Sequence, residues 1–159
     1  MNILFVCSGN ICRSPLAEAL LRYKVSSLTL SSGSTASEPN IRVKSAGTAA
    51  SARQPMSLLM ETILQEKGID STHQSQRLNW DLLDWADLIL TMTRAQKLLL
   101  TSQIPQLTPK LATLNEYADQ SAFPDIEDPY GSDLNSYRQC AAEIEAACDR
   151  LLSKLQTLV

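Results

Sequence analysis

The sequence has little of what metal sites and membrane spans are built from. Its 159 residues include one histidine, His73, and four cysteines, none of which form a Cys-x-x-Cys pair. This shortage of ligands argues against a zinc site. No apolar run approaches the ~20 residues of a membrane span, and no basic region precedes a signal-type apolar core. We therefore expect no metal, no cofactor, no membrane association and a cytoplasmic location, where cysteines stay reduced.

An excess of positive charge is also missing. The 14 lysines and arginines are outnumbered by 17 aspartates and glutamates, which gives a net charge of -3. Surfaces that bind nucleic acid are typically basic, so we expect no nucleic-acid partner. With 44% hydrophobic residues, the chain can bury one core but not two. We predict one domain over residues 1–159, present as a monomer, with a Ser/Thr-rich loop insertion at about 26–40.

One stretch stands out, Val6 to Ser14 (VCSGNICRS), between an apolar run and a helical pattern. If this loop curls, as Gly9 and Asn10 permit, the backbone N–H groups of residues 8–13 point inward. They then form an anion-binding site at a helix N-terminus. The sequence therefore predicts a loop shaped around an oxyanion.

Three side chains of this loop can act on a bound oxyanion. Arg13 offers a planar fork of donors that matches two phosphate oxygens. The field of the loop favours the thiolate of Cys7, which is the nucleophilic form of a cysteine. Ser14 can donate its hydroxyl to that sulfur and so stabilise an attacking or leaving thiolate. Taken singly, a cysteine after a strand is explained as a small buried side chain and an arginine at a helix start as a surface charge. Their combination on one loop indicates catalysis.

The continuous string VCSGNICRSPLAEA resembles the signature of low-molecular-weight protein tyrosine phosphatases, VCxGNICRSPxAE. Further matching segments are SAGT at 45–48, GIDSTH at 68–73, ADLILTMT at 86–93 and DPYG at 128–131. The resemblance implies an enzyme that hydrolyses phosphotyrosine in proteins, releases or is inhibited by phosphate, and needs no cofactor.

The same resemblance implies a role for individual residues. Cys7 would be the nucleophile, Arg13 would bind the phosphoryl oxygens, and Asp128 would be the general acid and base. The residues expected to bind substrate are Ser8, Gly9, Asn10, Ile11, Cys12, Ser14 and Tyr130. His73 and Ser45 would support the loop through hydrogen bonds that also involve Asn10 and Ser14.

The choice of general acid and of substrate stays partly open. Asp125 and Glu127 lie in the same acidic loop, and only the resemblance selects Asp128 over them. Bacterial protein arginine phosphatases share the scaffold and usually carry threonine where this chain has Ile11, so Ile11 resembles the tyrosine-specific branch. Gly131 resembles the arginine phosphatases instead, which usually have a small residue at that position. A branched apolar side chain packs well on a phenyl ring, so we favour phosphotyrosine, with phosphoarginine as the alternative.

Two further alternatives are weaker. An arsenate reductase would need a shuttle of additional cysteines, and none lies between Cys12 and Cys140. A module that only binds phosphate would need neither a thiolate nor an acid.

Two cysteine features are open at this point. Cys7 and Cys12 lie on one tight loop, and two interpretations are open. The two cysteines form a reversible disulfide, which in the family protects the nucleophile from deeper oxidation, or Cys12 only packs beneath the loop. Cys140 and Cys148 follow a helical pattern and are expected in the core. The segment AASARQP at 49–55 lacks the bulky apolar residue that usually walls the family's pocket, and Arg53 suggests a charged rim there.

Apolar runs alternate with amphipathic segments along the chain. This predicts an α/β fold with three layers, in which helices cover both faces of a four-stranded parallel sheet. Strands are predicted at Asn2–Val6, Ile41–Ser45, Ala86–Met92 and Lys110–Leu114. Helices are predicted after Pro15, at Met56–Lys67, Asn79–Trp85 and Thr93–Thr101, and after a cap at Ser132 or Asp133. The oxyanion loop then follows the first strand, at the carboxyl edge where such sheets bind ligands.

Overall fold

Four parallel strands lie in the order β2-β1-β3-β4 in the computed structural model, which describes residues 1–31 and 40–158. The strands are β1 (Asn2–Cys7), β2 (Arg42–Gly47), β3 (Leu88–Thr91) and β4 (Leu111–Thr113). In the register of the sheet, Cys7 lies opposite Gly47 and Val6 lies opposite Thr91. The predicted sheet is confirmed, and β1 has a paired strand on each side.

Helices follow the strands in the described part of the chain. They are α1 (Arg13–Ser31), α2 (Leu58–Glu66), α3 (Trp80–Trp85), α4 (Arg94–Gln103), α5 (Leu114–Tyr117) and α6 (Leu134–Thr157), with a 3-10 helix at Pro105–Lys110. Asn79, Thr93 and Asp133 cap α3, α4 and α6 by accepting backbone N–H groups. Because these side chains satisfy orphan donors, they fix where each helix begins.

Helices cover both faces of the sheet. Alternate residues of β1 point to opposite sides, so Ile3 and Phe5 join one apolar cluster while Leu4 and Val6 join the other. The first cluster contains apolar residues of α1, α2 and α6, and the second contains apolar residues of α3 and α4. The three-layer prediction is thereby confirmed. No helix in the described residues is long and apolar enough to cross a membrane.

The predicted loop insertion at 26–40 is wrong over its first part. Residues 26–31 continue helix α1, which ends at Ser31. Hydroxyl groups there donate to carbonyls one turn earlier, as Ser27 does to Tyr23 and Thr29 to Val25. This bonding satisfies the hydroxyl groups inside the helix, so a Ser/Thr-rich composition does not by itself end it. Residues 32–39 of the predicted insertion lie outside the described part of the chain.

Candidate active site

The loop between β1 and α1, residues 7–14, is called the phosphate loop below. It begins with the last residue of β1 at the carboxyl edge of the sheet and ends in the first turn of α1. Asn10 adopts φ 55°, a left-handed conformation that asparagine tolerates better than most residues. The predicted curl of the loop therefore needs no glycine at this position.

The sulfur of Cys7 is surrounded by hydrogen-bond donors. The backbone N–H of Asn10 donates to Sγ at 3.3 Å, and the Oγ atom of Ser14 lies 2.9 Å from it. The side-chain amide of Asn10 donates to the same Ser14 oxygen at 2.8 Å, so the hydroxyl proton of Ser14 is left for an acceptor, of which the sulfur at 2.9 Å is nearer than the Ala46 carbonyl oxygen at 3.5 Å. Both donors favour a negatively charged sulfur.

Asn10 links the loop to two other segments, β2 and residues 73–76, and is fully buried. Its Nδ2 atom also donates to Ser45 Oγ at 2.9 Å, and its Oδ1 atom accepts the backbone N–H of Gln76 at 2.9 Å. Its backbone oxygen lies 2.7 Å from His73 Nε2. The structure thus brings together Asn10, Ser14, Ser45 and His73, the four residues of the expected support network.

Two members of this network were missed by sequence analysis. Glu18, from α1, accepts a hydrogen bond from the hydroxyl of Ser45 and pairs with Arg22 at 2.7 Å. Gln76 donates its side-chain amide to the backbone oxygen of Ser45 at 2.9 Å. Glu18 is the last residue of the signature VCxGNICRSPxAE, which marked it without giving it a role, whereas Gln76 lies outside the matching segments and local spacing gave no signal for it.

Gly47, in the SAGT segment, is a position where the structure requires glycine. A Cβ atom at this position would lie 2.5 Å from the carbonyl oxygen of Ser8 and 3.0 Å from the nitrogen of Asn10. The neighbouring N–H groups of Thr48 and Ala49 donate to Cys7 and Ser8 carbonyls, both at 2.9 Å. Only glycine allows the end of β2 to approach the phosphate loop this closely.

Arg13 connects the phosphate loop to residues 125–131, called the acid loop below. Its side chain is only 4% exposed. Nη1 donates to the carbonyl oxygen of Ile126 at 2.9 Å, and Nη2 lies 3.5 Å from Asp128 Oδ2. The guanidinium therefore lies between the two loops, with its orientation fixed from the acid-loop side.

A pocket of about 190 Å³ lies between the two loops. Its lining residues are Cys7, Gly9, Asn10, Ile11, Cys12, Arg13, Asp128 and Tyr130. Asp128 is half-exposed at the pocket and accepts the backbone N–H of Tyr130 at 3.1 Å. The sulfur, the guanidinium and one carboxylate thus meet in a space of the size that a phosphoryl group with part of its leaving group would fill.

The other carboxylates of the acid loop lie elsewhere. Asp125 accepts the backbone N–H of Arg94 at 2.7 Å, and Glu127 is exposed. Both line a different cavity together with Phe123. Among the three aspartates and glutamates considered for the acid role, Asp128 alone lines the pocket that contains Cys7.

Some predicted site residues lie beside the pocket rather than in it. Ser14 lies behind the sulfur, and Ser8 is exposed with its hydroxyl accepting from Gln96 Nε2 at 3.1 Å. Gln96 was not anticipated as a site residue, although its place three residues after Thr93 is typical of a capping box. Arg53, expected at the rim, is exposed and is absent from the described lining of this pocket.

The four cysteines are free thiols. Cys12 is buried, its Sγ donating to Ser57 Oγ at 3.3 Å and lying 3.7 Å from Tyr137 Oη. Burial raises the pKa of Cys12. Burial also raises the pKa of Cys140 to about 12 and that of Cys148 to about 12, and both lie in the core as predicted. A Cys7–Cys12 disulfide remains a prediction.

No cluster of three or more His, Cys, Asp or Glu side chains that could hold a metal ion occurs among residues 1–31 and 40–158. The donors that the structure shows at the site are the backbone N–H of Asn10, directed at Cys7 Sγ, and the guanidinium of Arg13. These groups bind an anion directly, by charge-assisted hydrogen bonds.

Comparisons with known proteins agree with this geometry. The family model for low molecular weight phosphotyrosine protein phosphatase matches residues 2–158. A protein-arginine-phosphatase from Geobacillus stearothermophilus is 38% identical over 98% of this chain and 97% of its own. A probable low molecular weight protein-tyrosine-phosphatase, EpsP of Ralstonia solanacearum, is 34% identical over 99% and 97%.

The solved structures include the YwlE arginine phosphatase from Geobacillus stearothermophilus. It superposes with a TM-score of 0.86 at 38% identity, over 98% of this chain and 93% of that one. The fold is thus shared over almost all of both chains, and the family model covers nearly the whole sequence. The chain belongs to the low molecular weight phosphotyrosine protein phosphatase family.

Proposed function

We propose that this chain hydrolyses phosphotyrosine in proteins through a phosphocysteine intermediate on Cys7. The observation that carries the proposal is the meeting of Cys7, Arg13 and Asp128 around one pocket. Hydrolysis of a phosphate monoester needs a nucleophile, stabilisation of the phosphoryl oxygens and a proton for the leaving oxygen. These three residues supply those functions in that order.

In the first step, the thiolate of Cys7 attacks phosphorus in line with the leaving oxygen. The S–P bond forms, the P–O bond to the tyrosine breaks, and Asp128 gives its proton to the departing phenol oxygen. Arg13 and the backbone N–H groups of the phosphate loop stabilise the charge on the equatorial oxygens. Ser14 and the Asn10 N–H, both within 3.3 Å of the sulfur, stabilise the thiolate before attack.

In the second step, Asp128 takes a proton from a water molecule that attacks the phosphocysteine. The new P–O bond forms, the P–S bond breaks, and sulfur leaves as a thiolate that the same two donors stabilise. Inorganic phosphate is the product, and the carboxyl group is again protonated. The scheme balances without a metal ion or another cofactor.

The test is hydrolysis of p-nitrophenyl phosphate by wild type and by Cys7→Ser, because a serine hydroxyl is far less nucleophilic at neutral pH. We expect wild-type turnover in reductant and a loss of at least about a thousandfold in the variant, with phosphate binding retained in calorimetry. Cys140→Ala is the matched control, since it removes a thiol from the core. Turnover by Cys7→Ser at the wild-type rate would end the covalent mechanism, and an inactive wild type would favour a phosphate-binding module.

Phosphoarginine is the second candidate substrate. Its support is the 38% identity to a protein named for arginine phosphatase activity, together with Gly131 in the acid loop. Against it stands Ile11, an apolar side chain that lines the pocket next to Tyr130. An apolar wall favours a phenyl ring over a guanidinium, which needs polar partners when it is desolvated.

Activity on a phosphotyrosine peptide and on a phosphoarginine peptide distinguishes the two candidates. We expect kcat/KM to favour phosphotyrosine in wild type, and Ile11→Thr to reduce that preference by roughly tenfold, which corresponds to 1–2 kcal/mol of discrimination. Ile11→Val, which keeps an apolar branched side chain, is the matched control. A wild-type preference for phosphoarginine would reverse the substrate assignment.

We infer that the protein works in the cytoplasm, because a nucleophilic thiol needs a reducing environment. The monomeric state is likewise our prediction. Light scattering of the purified protein gives its mass in solution, and the mass of a dimer would contradict this prediction.

A further inference from the structure

The first turn of α4 lies between the two loops of the site and contacts both. On the phosphate-loop side, Gln96 donates to the hydroxyl of Ser8 at 3.1 Å. On the acid-loop side, the backbone N–H of Arg94 donates to Asp125 Oδ1 at 2.7 Å, and the carbonyl of Met92 accepts the N–H of Ile126 at 2.9 Å. This turn therefore connects the nucleophile's loop to the acid's loop.

The contacts on the acid-loop side come shortly before Asp128 in the chain. Ile126 is fully buried, and its carbonyl oxygen accepts from Arg13 at 2.9 Å. Asp128 follows two residues later and reaches the same guanidinium at 3.5 Å. Asp125 is the side chain that anchors the start of this short segment. Besides the Asp125 contact, the described hydrogen bonds that hold this segment are the two of Ile126.

The Asp125 contact is suited to hold an exposed loop. The N–H of Arg94 is one of the donors that an α-helix leaves unsatisfied in its first turn, and the partial positive charge there favours a carboxylate. A charge-assisted bond of 2.7 Å is at the short end for such pairs. Thr93 already accepts the N–H of Gln96, so Asp125 and Thr93 each satisfy one donor of this turn.

We propose that Asp125 is a positioning residue, which holds Asp128 over the phosphate loop by accepting the N–H of Arg94. The inference rests on the proposed function, because it assigns Asp125 a part in proton delivery by Asp128. It assigns no proton transfer to Asp125 itself.

The test removes the hydrogen bond from either end. Asp125→Ala deletes the acceptor. Arg94→Pro deletes the donor and fits locally, because proline is favoured at the first helical position and Thr93 has the extended backbone that a following proline requires. We expect either variant to lower kcat on phenyl phosphate by about threefold to tenfold, the cost of a lost helix-terminal contact of ~1 kcal/mol. The rate on p-nitrophenyl phosphate, whose leaving group needs little protonation, should change less.

Three controls isolate the contact. Asp125→Asn keeps an acceptor oxygen and should retain most of the phenyl phosphate rate. Arg94→Ala keeps the N–H and loses only the side chain, and Glu127→Ala removes an exposed carboxylate of the same loop, so both should match wild type. Inhibition by inorganic phosphate should be the same in all variants, because the phosphate loop is intact.

The outcomes separate this inference from the proposed function. If wild type hydrolyses both substrates and Asp125→Ala and Arg94→Pro keep the wild-type ratio of rates, the positioning role is wrong while the phosphatase assignment stands. Equal losses on both substrates would also contradict it, because they would point to a general structural effect. An inactive wild type would instead refute the proposed function.

Discussion

The phosphate loop and the acid loop face each other across one pocket but differ in how they are held. Asn10 and Ser14 in the phosphate loop are fully buried, and the Arg13 side chain is 4% exposed. In the acid loop, the side chain of Asp128 is 50% exposed, and Tyr130 is 68% exposed. The residues that hold the phosphate loop in shape are thus buried, whereas the acid loop is anchored at one buried position, whose carbonyl binds the guanidinium, and is exposed around its carboxylate.

The difference matches what each loop has to do in the proposed mechanism. Donors that stabilise developing charge on phosphorus work best when they need no rearrangement, which favours a buried and fully bonded loop. A group that protonates the leaving oxygen must stay open to a bulky substrate and to water. Changes in the two loops should therefore have separable effects on the kinetics.

The largest effect is expected from removing the acid. Asp128→Ala should lower kcat on phenyl phosphate by about 10²–10⁴-fold, the usual contribution of general acid catalysis. On p-nitrophenyl phosphate the loss should be smaller, because p-nitrophenolate leaves without a proton. Steady-state kinetics on both substrates, with Glu127→Ala beside them, test this prediction. An unchanged rate on phenyl phosphate would remove Asp128 from the mechanism.

A smaller effect, of a different kind, is expected in the phosphate loop. Asn10→Gly removes bonds to Ser14, Ser45 and Gln76 while tolerating φ 55°. Displacing loop donors by a fraction of an ångström should lower kcat on both substrates equally, by roughly tenfold to a hundredfold. Kinetics on the same two substrates measure this loss. A loss confined to phenyl phosphate would contradict the division of roles between the loops.

Asn10→Ala is the matched comparison for that variant. It removes the same hydrogen bonds but places a Cβ atom in the left-handed region. We expect it to be less stable than Asn10→Gly by about 1 kcal/mol in urea unfolding. Equal stabilities would mean that the backbone of the loop relaxes when the asparagine is lost.

The same two loops show what the sequence can predict. The phosphate loop was predictable because its nucleophile, arginine and supporting hydroxyl lie within eight consecutive residues after an apolar run. The sheet was predictable because its strands are short apolar runs between amphipathic helices. The role of Asp128 depended on the resemblance, since Asp125 and Glu127 have the same chemistry in the same loop.

Other features lay beyond the sequence for physical reasons. Glu18 and Gln76 meet Ser45 only after the fold brings α1, β2 and the segment before α3 together. In the extension of α1 to Ser31 the hydroxyl groups bond to carbonyls of the helix itself, whereas serine and threonine usually signal a loop. The short helix α5 follows β4 directly, so its four residues carry no helical period of their own.

The smallest effect on activity is expected in the packing of α6 on α1, away from the pocket, where the prediction concerns stability alone. Cys148 on α6 is fully buried, its sulfur 4.0 Å from the carbonyl oxygen of Ala17 on α1. Burial raises the pKa of Cys148 to about 12, whereas a cysteine in the unfolded chain titrates near 8.5. Between these values the unfolded state has lost a proton that the folded state keeps. The free energy of unfolding must therefore fall as the pH rises, by about 1.4 kcal/mol per pH unit for this thiol.

Cys148→Ala removes this thiol, so the variant should lose stability less steeply with pH than wild type. Urea unfolding in reductant at about pH 8 and about pH 10 gives the two slopes. Cys140, whose pKa burial also raises to about 12, contributes the same slope to both proteins and cancels in the comparison. Parallel slopes would mean that Cys148 reaches solvent in the folded state. In that case the packing of α6 on α1 would be looser than the burial of Cys148 indicates.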